Sequence, residues 1–291
     1  MKLTIVTINY NNASGLRKTM ESVFNQTSQD FEYIVVDGGS PDESVDVIQQ
    51  FIGSTVHPFI WITEKDSGIY NAMNKGIQMA KGEYVQFLNS GDWLVSPDVA
   101  ERMLSYLSPH PSGELEGASI LYGNMLKQLP NRILKDRGFA GRVPTMLDFY
   151  TGTLNHSPAY IKHSLFETYG LYDESLKIVS DWKWYLQVIA LKGIKPEYVD
   201  IDVTVFDMNG ISYVNSELDK AERKQVLSEI LPVSVLADYE HWAFSIDQLK
   251  RINRYVLINK LFWFIERVLF KFEKIVGYLD SRNLNKIVRK R

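Results

Sequence analysis

The sequence of 291 residues predicts an α/β fold in which a mostly parallel sheet is flanked by helices. Two features of the first hundred residues lead to this prediction. Short apolar runs rich in β-branched residues alternate with amphipathic stretches of helical period, and the connections between them are short. The composition, 45% hydrophobic and 23% charged residues, is sufficient for a large core. The sequence has no cysteine, which excludes disulfide frameworks and thiolate chemistry.

Four strands separated by helices are expected in the first hundred residues. The strands are Leu3–Ile8, Phe31–Asp37, Pro58–Glu64 and Tyr84–Asn89. A helix follows each of the first three strands, and the first helix has Ser14 as its expected N-cap. Nearly continuous apolar strands separated by helices are typical of a parallel sheet that is covered on both faces.

The alternation of strands and helices ends near Ala118. Beyond it, strands are expected at residues 118–124, 125–135 and 197–207, and helices from Ser180, at residues 217–230 and from Gln248 onward. A turn is expected at Pro130-Asn131, and Ser180 is the expected cap of its helix.

Polar residues follow all four of the first strands at the points where they end. They are Asn9 and Tyr10, Asp37-Gly38-Gly39-Ser40, Lys65-Asp66-Ser67-Gly68, and Asn89-Ser90-Gly91-Asp92. Asp and Gly are common in turns, so any one of these groups has an ordinary structural explanation. Because ligands bind beyond the carboxyl ends of the strands in such sheets, four groups at one edge favour a polar cleft.

Three separated stretches occur in order along the chain. They are TIVTINYNNASGLRKTMESVFNQT followed by YIVVDGGSPDES, then EKDSGIYNAMNKGIQMAKGEYVQFLNSGDWL, then GLYDESLKIVSDWKWYLQV. Taken together, they resemble family 2 glycosyltransferases, which have the GT-A fold. The resemblance covers residues 1–210 and implies a nucleotide-sugar-binding part at residues 1–117 and an acceptor and catalytic part at residues 118–210. Residues 211–291 are expected to form a helical extension.

The family implies an inverting transfer of a hexosyl or N-acetylhexosaminyl group. The implied donor is a nucleotide-diphospho-sugar, with UDP the most frequent nucleotide among relatives, and the acceptor is a hydroxyl of a glycan or lipid-linked saccharide. The expected setting is bacterial polysaccharide or cell-envelope biosynthesis, in the cytoplasm or peripheral on the inner face of the cell membrane. A net charge of −3 argues against a surface built for nucleic acid, and the N-terminal residues lack a signal-peptide pattern.

The resemblance also implies a set of donor-binding residues at the strand edge and on the helix that follows it: Thr7, Asn9, Asp37, Gly38, Lys65, Asp66, Gly68, Asn71, Asn74 and Lys75. A carboxylate at Asp37 accepts hydrogen bonds from a base N–H or a ribose hydroxyl, and Gly68 lets the backbone approach a ligand. The helix N-terminus suits a diphosphate, because its N–H groups and its dipole favour anions. The structural alternatives are an Asx-turn at Asp37 and a solvated first turn of the helix.

Most relatives place an Asp-x-Asp after the fourth strand, where it holds a divalent metal ion. This chain has Asn89-Ser90-Gly91-Asp92 there, so one carboxylate remains. Mn²⁺ and Mg²⁺ prefer oxygen ligands and can take most of them from phosphate and water, so Asp92 is the expected ligand, with weaker binding. His156 is a second candidate, as a metal ligand or a contact to sugar or phosphate. A hydrogen-bonded structural histidine is the alternative.

By resemblance, Asp181 at the front of a helix is the catalytic base that removes the proton of the acceptor hydroxyl. The neighbouring Trp182 and Trp184 are expected to desolvate this carboxylate and raise its basicity. The same tryptophans either stack on acceptor sugars or pack in the core. For Asp181, the alternative is helix capping.

The stretch Leu257–Leu279 has a wide apolar stripe with many aromatic residues, and residues 281–291 contain only basic charges. A membrane-surface anchor and a helix packed on its own domain or on a second subunit are both consistent with this pattern. Two other functions stay open. A catalytically degenerate sugar-nucleotide-binding subunit is favoured by the incomplete Asp-x-Asp, and a nucleotidyltransferase is disfavoured because no basic Gly-rich loop follows the first strand.

Overall fold

The computed structural model describes residues 1–28, 30–52, 59–107, 118–129, 131–206, 215–254, 259–272 and 274. The chain divides into two compact units, Met1–Ile230 and Leu231–Arg291. The first unit contains the sheet and every residue predicted for the site, and the second is largely helical over its described residues.

Nine strands of the described residues form one mixed sheet. They are β1 (Leu3–Asn9), β2 (Phe31–Asp37), β3 (Phe59–Thr63), β4 (Tyr84–Phe87), β5 (Trp93–Leu94), β6 (Ile120–Leu129), β7 (Arg132–Asp136), β8 (Ala159–Lys162) and β9 (Glu197–Phe206). Their order across the sheet is β3-β2-β1-β4-β8-β6-β9-β5, and β7 pairs with β6 beside this path. The predicted α/β class is confirmed.

The first four strands are parallel, as the sequence predicts. β1 and β2 are buried along their whole length, because helices cover both faces of this half of the sheet. The helix that follows β3 packs so closely on β1 that a Cβ added at Gly76 would stand 2.4 Å from Val6 Cγ1. The register sets Asn9 beside Asp37 and Asp37 beside Thr63, so three polar residues meet at the carboxyl edge.

The second half of the sheet differs from the sequence prediction at β6. The pattern predicts separate strands at residues 118–124 and 125–135, whereas β6 is one continuous ten-residue strand. The ladder with β9 shifts register on either side of Asn124, so the strand continues through this irregularity. Gly123 has no Cβ, and an added one would stand 2.5 Å from Ile201 O. The expected turn residue Pro130 lies outside the described residues.

The helices are α1 (Ala13–Phe24), α2 (Ser44–Phe51), α3 (Ile69–Met79), α4 (Val99–Ser105), α5 (Met146–Thr151), α6 (Ser164–Tyr169), α7 (Ser180–Tyr185, continued by the π-helical Leu186–Leu191), α8 (Ser216–Ile230) and α9 (Val233–Arg254). Two predicted caps are wrong. Asn12 rather than Ser14 caps α1, because its side chain accepts the N–H of Gly15 at 3.1 Å. Ser180 is already helical, and its Oγ accepts the N–H of Asp173 at 2.6 Å.

The helix α8 packs within the first unit. Arg223 donates to Gly152 O at 3.0 Å, and its guanidinium lies over the Trp182 ring, 4.6 Å from the centroid. The carboxylate of Glu222 accepts hydrogen bonds from backbone N–H groups just before α7. The compact unit therefore ends at Ile230, beyond the boundary predicted at residue 210.

The second unit contains α9 and a further helix at residues 259–272 and 274, which we call the aromatic helix. Helix α9 begins at Val233, before the start predicted at Gln248. In the part of the chain that the structure describes, every helix is too short or too polar to cross a bilayer.

Candidate active site

Asp37, at the end of β2, is fully buried, and its carboxylate organises the loop that follows the strand. Oδ1 accepts hydrogen bonds from Asn9 Nδ2 (2.8 Å) and Ser40 Oγ (2.5 Å), and Oδ2 accepts from Ser40 N (3.0 Å) and Thr63 Oγ1 (2.7 Å). Burial alone would raise the pKa of Asp37, but the bonds from Ser40, Thr63 and Asn9 outweigh it and hold the pKa below its usual value. The carboxylate is ionised, and both of its oxygens are engaged.

Within the described residues, Asn9 has an unpaired, buried acceptor atom at the same edge. The residue is 3% exposed, and its Nδ2 lies within hydrogen-bond distance of Asp37, Ser40 (3.2 Å) and Ser44 (2.9 Å). Its Oδ1 is buried and has no hydrogen-bond partner among the described residues. Buried polar atoms are nearly always paired, so this oxygen is an exception at the predicted donor edge.

Gly38 and Asp66 lie in contact across the carboxyl edge. A Cβ added at Gly38 would stand 2.5 Å from Asp66 Oδ2 and 3.3 Å from the Tyr10 ring. The loops also meet one residue further on, where a Cβ at Gly39 would stand 3.3 Å from Lys65 N. A side chain at position 38 would therefore displace the Asp66 carboxylate from its present place. Tyr10, 65% exposed, presents its ring beside it.

The front of α3 continues this surface. Gly68 is the N-cap with a φ of +143°, and no described atom would lie within 4 Å of an added Cβ, so the backbone conformation rather than space favours glycine. Its N–H donates to Asp66 Oδ1 at 3.1 Å. Burial raises the pKa of Asp66 and the charge of Asp37 acts in the same direction, against the opposing effects of Gly68 and Lys75. Asp66 is therefore protonated more readily than Asp37.

The two asparagines predicted on α3 contact a neighbouring loop. Asn71 Nδ2 donates to Glu174 Oε2 at 2.9 Å. Asn74 is buried, donates to Tyr172 O and Glu174 Oε1 at 2.9 Å each, and accepts the N–H of Tyr172 at 3.0 Å. Both amides hold the loop before α7, and their predicted contact with a donor stays a prediction.

Thr7 and Lys75 are also engaged within the chain. Thr7 is fully buried; its hydroxyl donates to Leu88 O at 2.8 Å and accepts from Tyr33 at 2.9 Å. Lys75 Nζ lies 2.7 Å from Glu64 Oε1. The structure thus places Thr7 beneath the carboxyl edge, and Lys75 beside the end of β3.

A second group of side chains surrounds Asp181 at the start of α7. His156 Nδ1 lies 3.0 Å from Asp181 Oδ2, and His156 Nε2 lies 3.3 Å from Asn89 Nδ2. On the other side, the Tyr70 hydroxyl donates to Asp181 Oδ1 at 2.9 Å. The side chains of His156 and Asp181 are 19% and 17% exposed, so a ligand can reach the pair.

The charges of this group stabilise one another. Burial lowers the pKa of His156, but the hydrogen bond and charge of Asp181, with the charge of Asp92, outweigh burial and raise it. Burial would raise the pKa of Asp181, yet His156 and the Tyr70 hydroxyl hold it below its usual value. The expected gain in basicity is therefore wrong, because the pairing of Asp181 with His156 and Tyr70 opposes the desolvation.

Trp182 and Trp184 are core residues, only 1% and 2% exposed. Their indole N–H groups donate to Phe149 O and Gly170 O, both at 2.8 Å. The Trp184 ring stacks on Phe166 with 4.7 Å between centroids. Of the two sequence alternatives, packing in the core is the one that the structure shows.

Asp92 and Asn89 are the residues that could hold a divalent metal ion. Asp92 is buried in a turn, where its N–H donates to Asn89 O at 2.9 Å. Asn89 Oδ1 is a buried oxygen without a hydrogen-bond partner in the described residues. Carboxylate and amide oxygens suit Mn²⁺ and Mg²⁺, whereas both ring nitrogens of His156 already have close neighbours. Among the described residues, no group of three or more Asp, Glu, His or Cys side chains is placed to hold a metal ion.

The helix α3 joins the two groups. Its N-cap, Gly68, contacts Asp66 at the carboxyl edge, and Tyr70 in its first turn reaches Asp181. The charge of Asp92 acts on His156. Of the predicted carboxylates, Asp37 and Asp66 therefore lie in one group, and Asp92 and Asp181 in the adjoining one.

Two residues of this region are not predicted by the sequence patterns: Tyr70 and Glu222. A signal existed for Glu222, which lies four residues before the buried Val226 and so on the apolar face of α8. A charged residue on such a face needs a buried partner. For Tyr70, the only signal is its place in a first helical turn that begins at the strand edge.

Comparison with solved structures identifies the fold as that of GT-A glycosyltransferases. S. aureus TarS 1-349, solved in complex with UDP-GlcNAc, matches with a TM-score of 0.62 and 17% sequence identity, covering 84% of this chain and 73% of that chain. The mannosyltransferase PcManGT from Pyrobaculum calidifontis, in complex with GDP-Man and Mn²⁺, matches with a TM-score of 0.56 and 17% identity, covering 73% and 58%. At these identities the likeness concerns the fold.

Sequence comparison gives the family. The family model described as Glycosyl transferase family 2 matches residues 4–169, more than half of the chain, and the protein therefore belongs to this family. A curated relative, the PGL/p-HBAD biosynthesis glycosyltransferase of Mycobacterium bovis (strain BCG / Pasteur 1173P2), is 26% identical over 226 residues. That alignment covers 77% of this chain and 83% of the relative.

Proposed function

We propose that the protein is an inverting glycosyltransferase that moves a sugar from a nucleotide-diphospho-sugar to a hydroxyl of a glycan or lipid-linked acceptor. The observation that carries this proposal is the setting of Asp181. It is an ionised, partly exposed carboxylate held between His156 and Tyr70. Tyr70 belongs to the first turn of the helix whose N-cap contacts Asp66, so the base lies within one helical turn of the donor edge.

The nucleotide is proposed to lie on the carboxyl edge of β1 and β2. The exposed Tyr10 ring offers a stacking face for a base. The carboxylate of Asp66, next to Gly38 at this edge, accepts hydrogen bonds from base or ribose. The first turn of α3 then faces the diphosphate, for which N–H groups and the helix dipole are favourable. A UDP-sugar is the preferred donor, with TarS, solved with UDP-GlcNAc, as the supporting neighbour.

In the proposed reaction, Asp181 takes the proton of the acceptor hydroxyl while the acceptor oxygen bonds to the anomeric carbon. The bond from that carbon to the diphosphate oxygen breaks, and the nucleoside diphosphate leaves with the electron pair. The single hydroxyl hydrogen of Tyr70 has two acceptors, Asp181 Oδ1 at 2.9 Å and Ile178 O at 2.5 Å. It can stay with Ile178 O when Oδ1 receives the proton, while His156 keeps its bond to Oδ2.

The leaving diphosphate needs its developing charge balanced. A divalent ion, bound together with the donor, supplies Lewis-acid stabilisation of that charge. Asp92 and Asn89 are the residues that would hold it, and Mn²⁺ is the ion present in PcManGT. The charges of Asp181 and Asp92 raise the pKa of His156 and so favour its protonated form.

The test compares Asp181→Asn with wild type. We expect wild type to transfer or slowly hydrolyse at least one nucleotide-sugar in the presence of Mn²⁺, and Asp181→Asn to lose turnover while UDP still raises its melting temperature. Asp98→Asn is the matched control, since this half-exposed carboxylate at the start of α4 lies outside both groups. Ligand binding by a wild type that is as inert as Asp181→Asn would contradict the proposal and favour a degenerate binding subunit.

A membrane surface is proposed as the place where the acceptor is met. The aromatic helix exposes Leu261, Phe264, Ile265, Val268, Leu269 and Phe272. At about 100° per residue these six side chains share one side of the helix. Lys260, Arg267 and Lys271 lie along one border of that side, where they suit anionic headgroups.

Vesicle sedimentation tests this surface with the full chain. Wild type is expected to bind vesicles that contain anionic lipid, and Val268→Glu to bind them less. Glu266→Gln is the control, because this residue lies outside the apolar side. Equal binding by wild type and Val268→Glu would contradict the proposal, and a dimer that Val268→Glu dissociates would assign the surface to a second copy instead.

A further inference from the structure

The carboxylate of Glu222, in α8, is buried against the turn that precedes α7. It accepts three backbone hydrogen bonds: from Lys177 N at 2.7 Å, Ile178 N at 2.9 Å and Val179 N at 3.3 Å. Three consecutive N–H groups aimed at one carboxylate fix the conformation of that turn. Helix α7 begins directly after it, and Asp181 is the second residue of the helix.

The same turn is held from its other side. The carbonyl oxygen of Ile178 accepts the Tyr70 hydroxyl, while the N–H of Ile178 donates to Glu222. The peptide groups at residue 178 are therefore held by two anchors, Glu222 on α8 and Tyr70 on α3. Tyr70 also binds the carboxylate of Asp181.

We propose that Glu222 is a positioning residue for Asp181, acting through the turn at residues 177–179. A carboxylate buried to this extent costs free energy unless hydrogen bonds compensate it, and here the compensating donors all belong to the segment that places the base. The inference rests on the proposed function of Asp181. It extends that function to α8, which lies beyond the residues matched by the family model.

The experiment uses Glu222→Gln in the full chain. Glutamine keeps the shape of the side chain, but it replaces one accepting oxygen with an NH₂ group that faces N–H donors. We expect kcat to fall on the order of tenfold or more, because small displacements of a reacting group are costly. KM for the donor and affinity for UDP should stay within about twofold, since no donor-edge residue is changed. Hydrogen–deuterium exchange at residues 177–179 should become faster.

Val226→Ala is the matched control. Val226 is buried on the same face of α8, one turn after Glu222, and has no polar group to offer the turn. It should lower the melting temperature as Glu222→Gln does, yet leave kcat and the exchange of residues 177–179 near wild type. Unchanged kcat and exchange in Glu222→Gln, or an equal loss of kcat in Val226→Ala, would overturn the proposal. If wild type transfers no sugar at all, the proposed function fails, and hydrogen–deuterium exchange alone then tests whether Glu222 holds the turn at residues 177–179. Faster exchange in Glu222→Gln supports this role, and unchanged exchange overturns it.

Discussion

Replacing Tyr70 with phenylalanine tests the geometry around Asp181 with a change of one atom. The ring is buried and lies 5.7 Å from the Tyr172 ring, so Tyr70→Phe keeps the packing. The hydroxyl is lost together with its bonds to Asp181 Oδ1 and Ile178 O. The loss releases both Asp181 and the turn at Ile178 from α3, and a small misplacement of a reacting group can cost about a hundredfold in rate. We therefore expect kcat to fall by roughly tenfold to a hundredfold.

The pH dependence of kcat gives a second, independent readout. The Tyr70 hydroxyl is one of the groups that lower the pKa of Asp181, so its removal raises that pKa. The base has to be ionised to act, and activity falls as the pH drops through its pKa. The acid limb of the kcat profile should therefore move to higher pH in Tyr70→Phe.

Tyr172→Phe is the matched control for this change. Tyr172 is buried next to Tyr70, and its hydroxyl has no hydrogen-bond partner among the described residues. Removing it should change kcat by less than about twofold, because replacing an unpaired buried hydroxyl costs little. A Tyr70→Phe profile that matches wild type in height and acid limb would refute the reasoning, as would equal effects of the two substitutions.

Three further changes test the donor edge and the metal. Gly38→Ala should weaken UDP binding by about tenfold or more in calorimetric titration, because the Cβ would stand 2.5 Å from Asp66 Oδ2; unchanged affinity would exclude Asp66 from the donor site. Asp37 has a lowered pKa, so its contribution to the free energy of unfolding is complete above its usual pKa and is lost as the pH falls through the folded value. Asp37→Asn should thus show a shallower loss of stability below about pH 4 in urea titrations, and an unchanged slope would contradict this. Asp92→Asn should need more Mn²⁺ for half-maximal activity, and EDTA should abolish wild-type activity. A wild-type Mn²⁺ requirement in Asp92→Asn would show that Asp92 is not a metal ligand.

The first half of the fold could be predicted from the sequence because its signals are local. Strands β1 to β4 are short apolar runs, and the polar residues after them lie at one edge because parallel strands end on the same side. Asp37 and Asp66 were identified as edge residues on this basis. The sequence pattern predicts two strands where β6 is one, because the pairing with β9 that keeps β6 continuous is not a local signal.

The partners of the site residues could not be predicted because they come from distant segments. Asn74 binds a loop about a hundred residues further along the chain, so its amide could not be distinguished from one exposed to a ligand. The basicity of Asp181 was predicted from its neighbours Trp182 and Trp184, but its pKa depends on His156 and Tyr70. Sequence proximity indicates burial, and only the fold shows which charges oppose it.

The contacts at Ile178 explain why a sequence motif identifies Asp181 but not what holds it. Both anchors of this residue, Tyr70 and Glu222, bind its peptide groups and not its side chain. Many side chains at position 178 would preserve these bonds, so the sequence of the turn carries little information about them. The anchors, in contrast, need a hydroxyl on α3 and a carboxylate on α8. Loss of either one should disturb Asp181 more than substitution of Ile178 by another apolar residue.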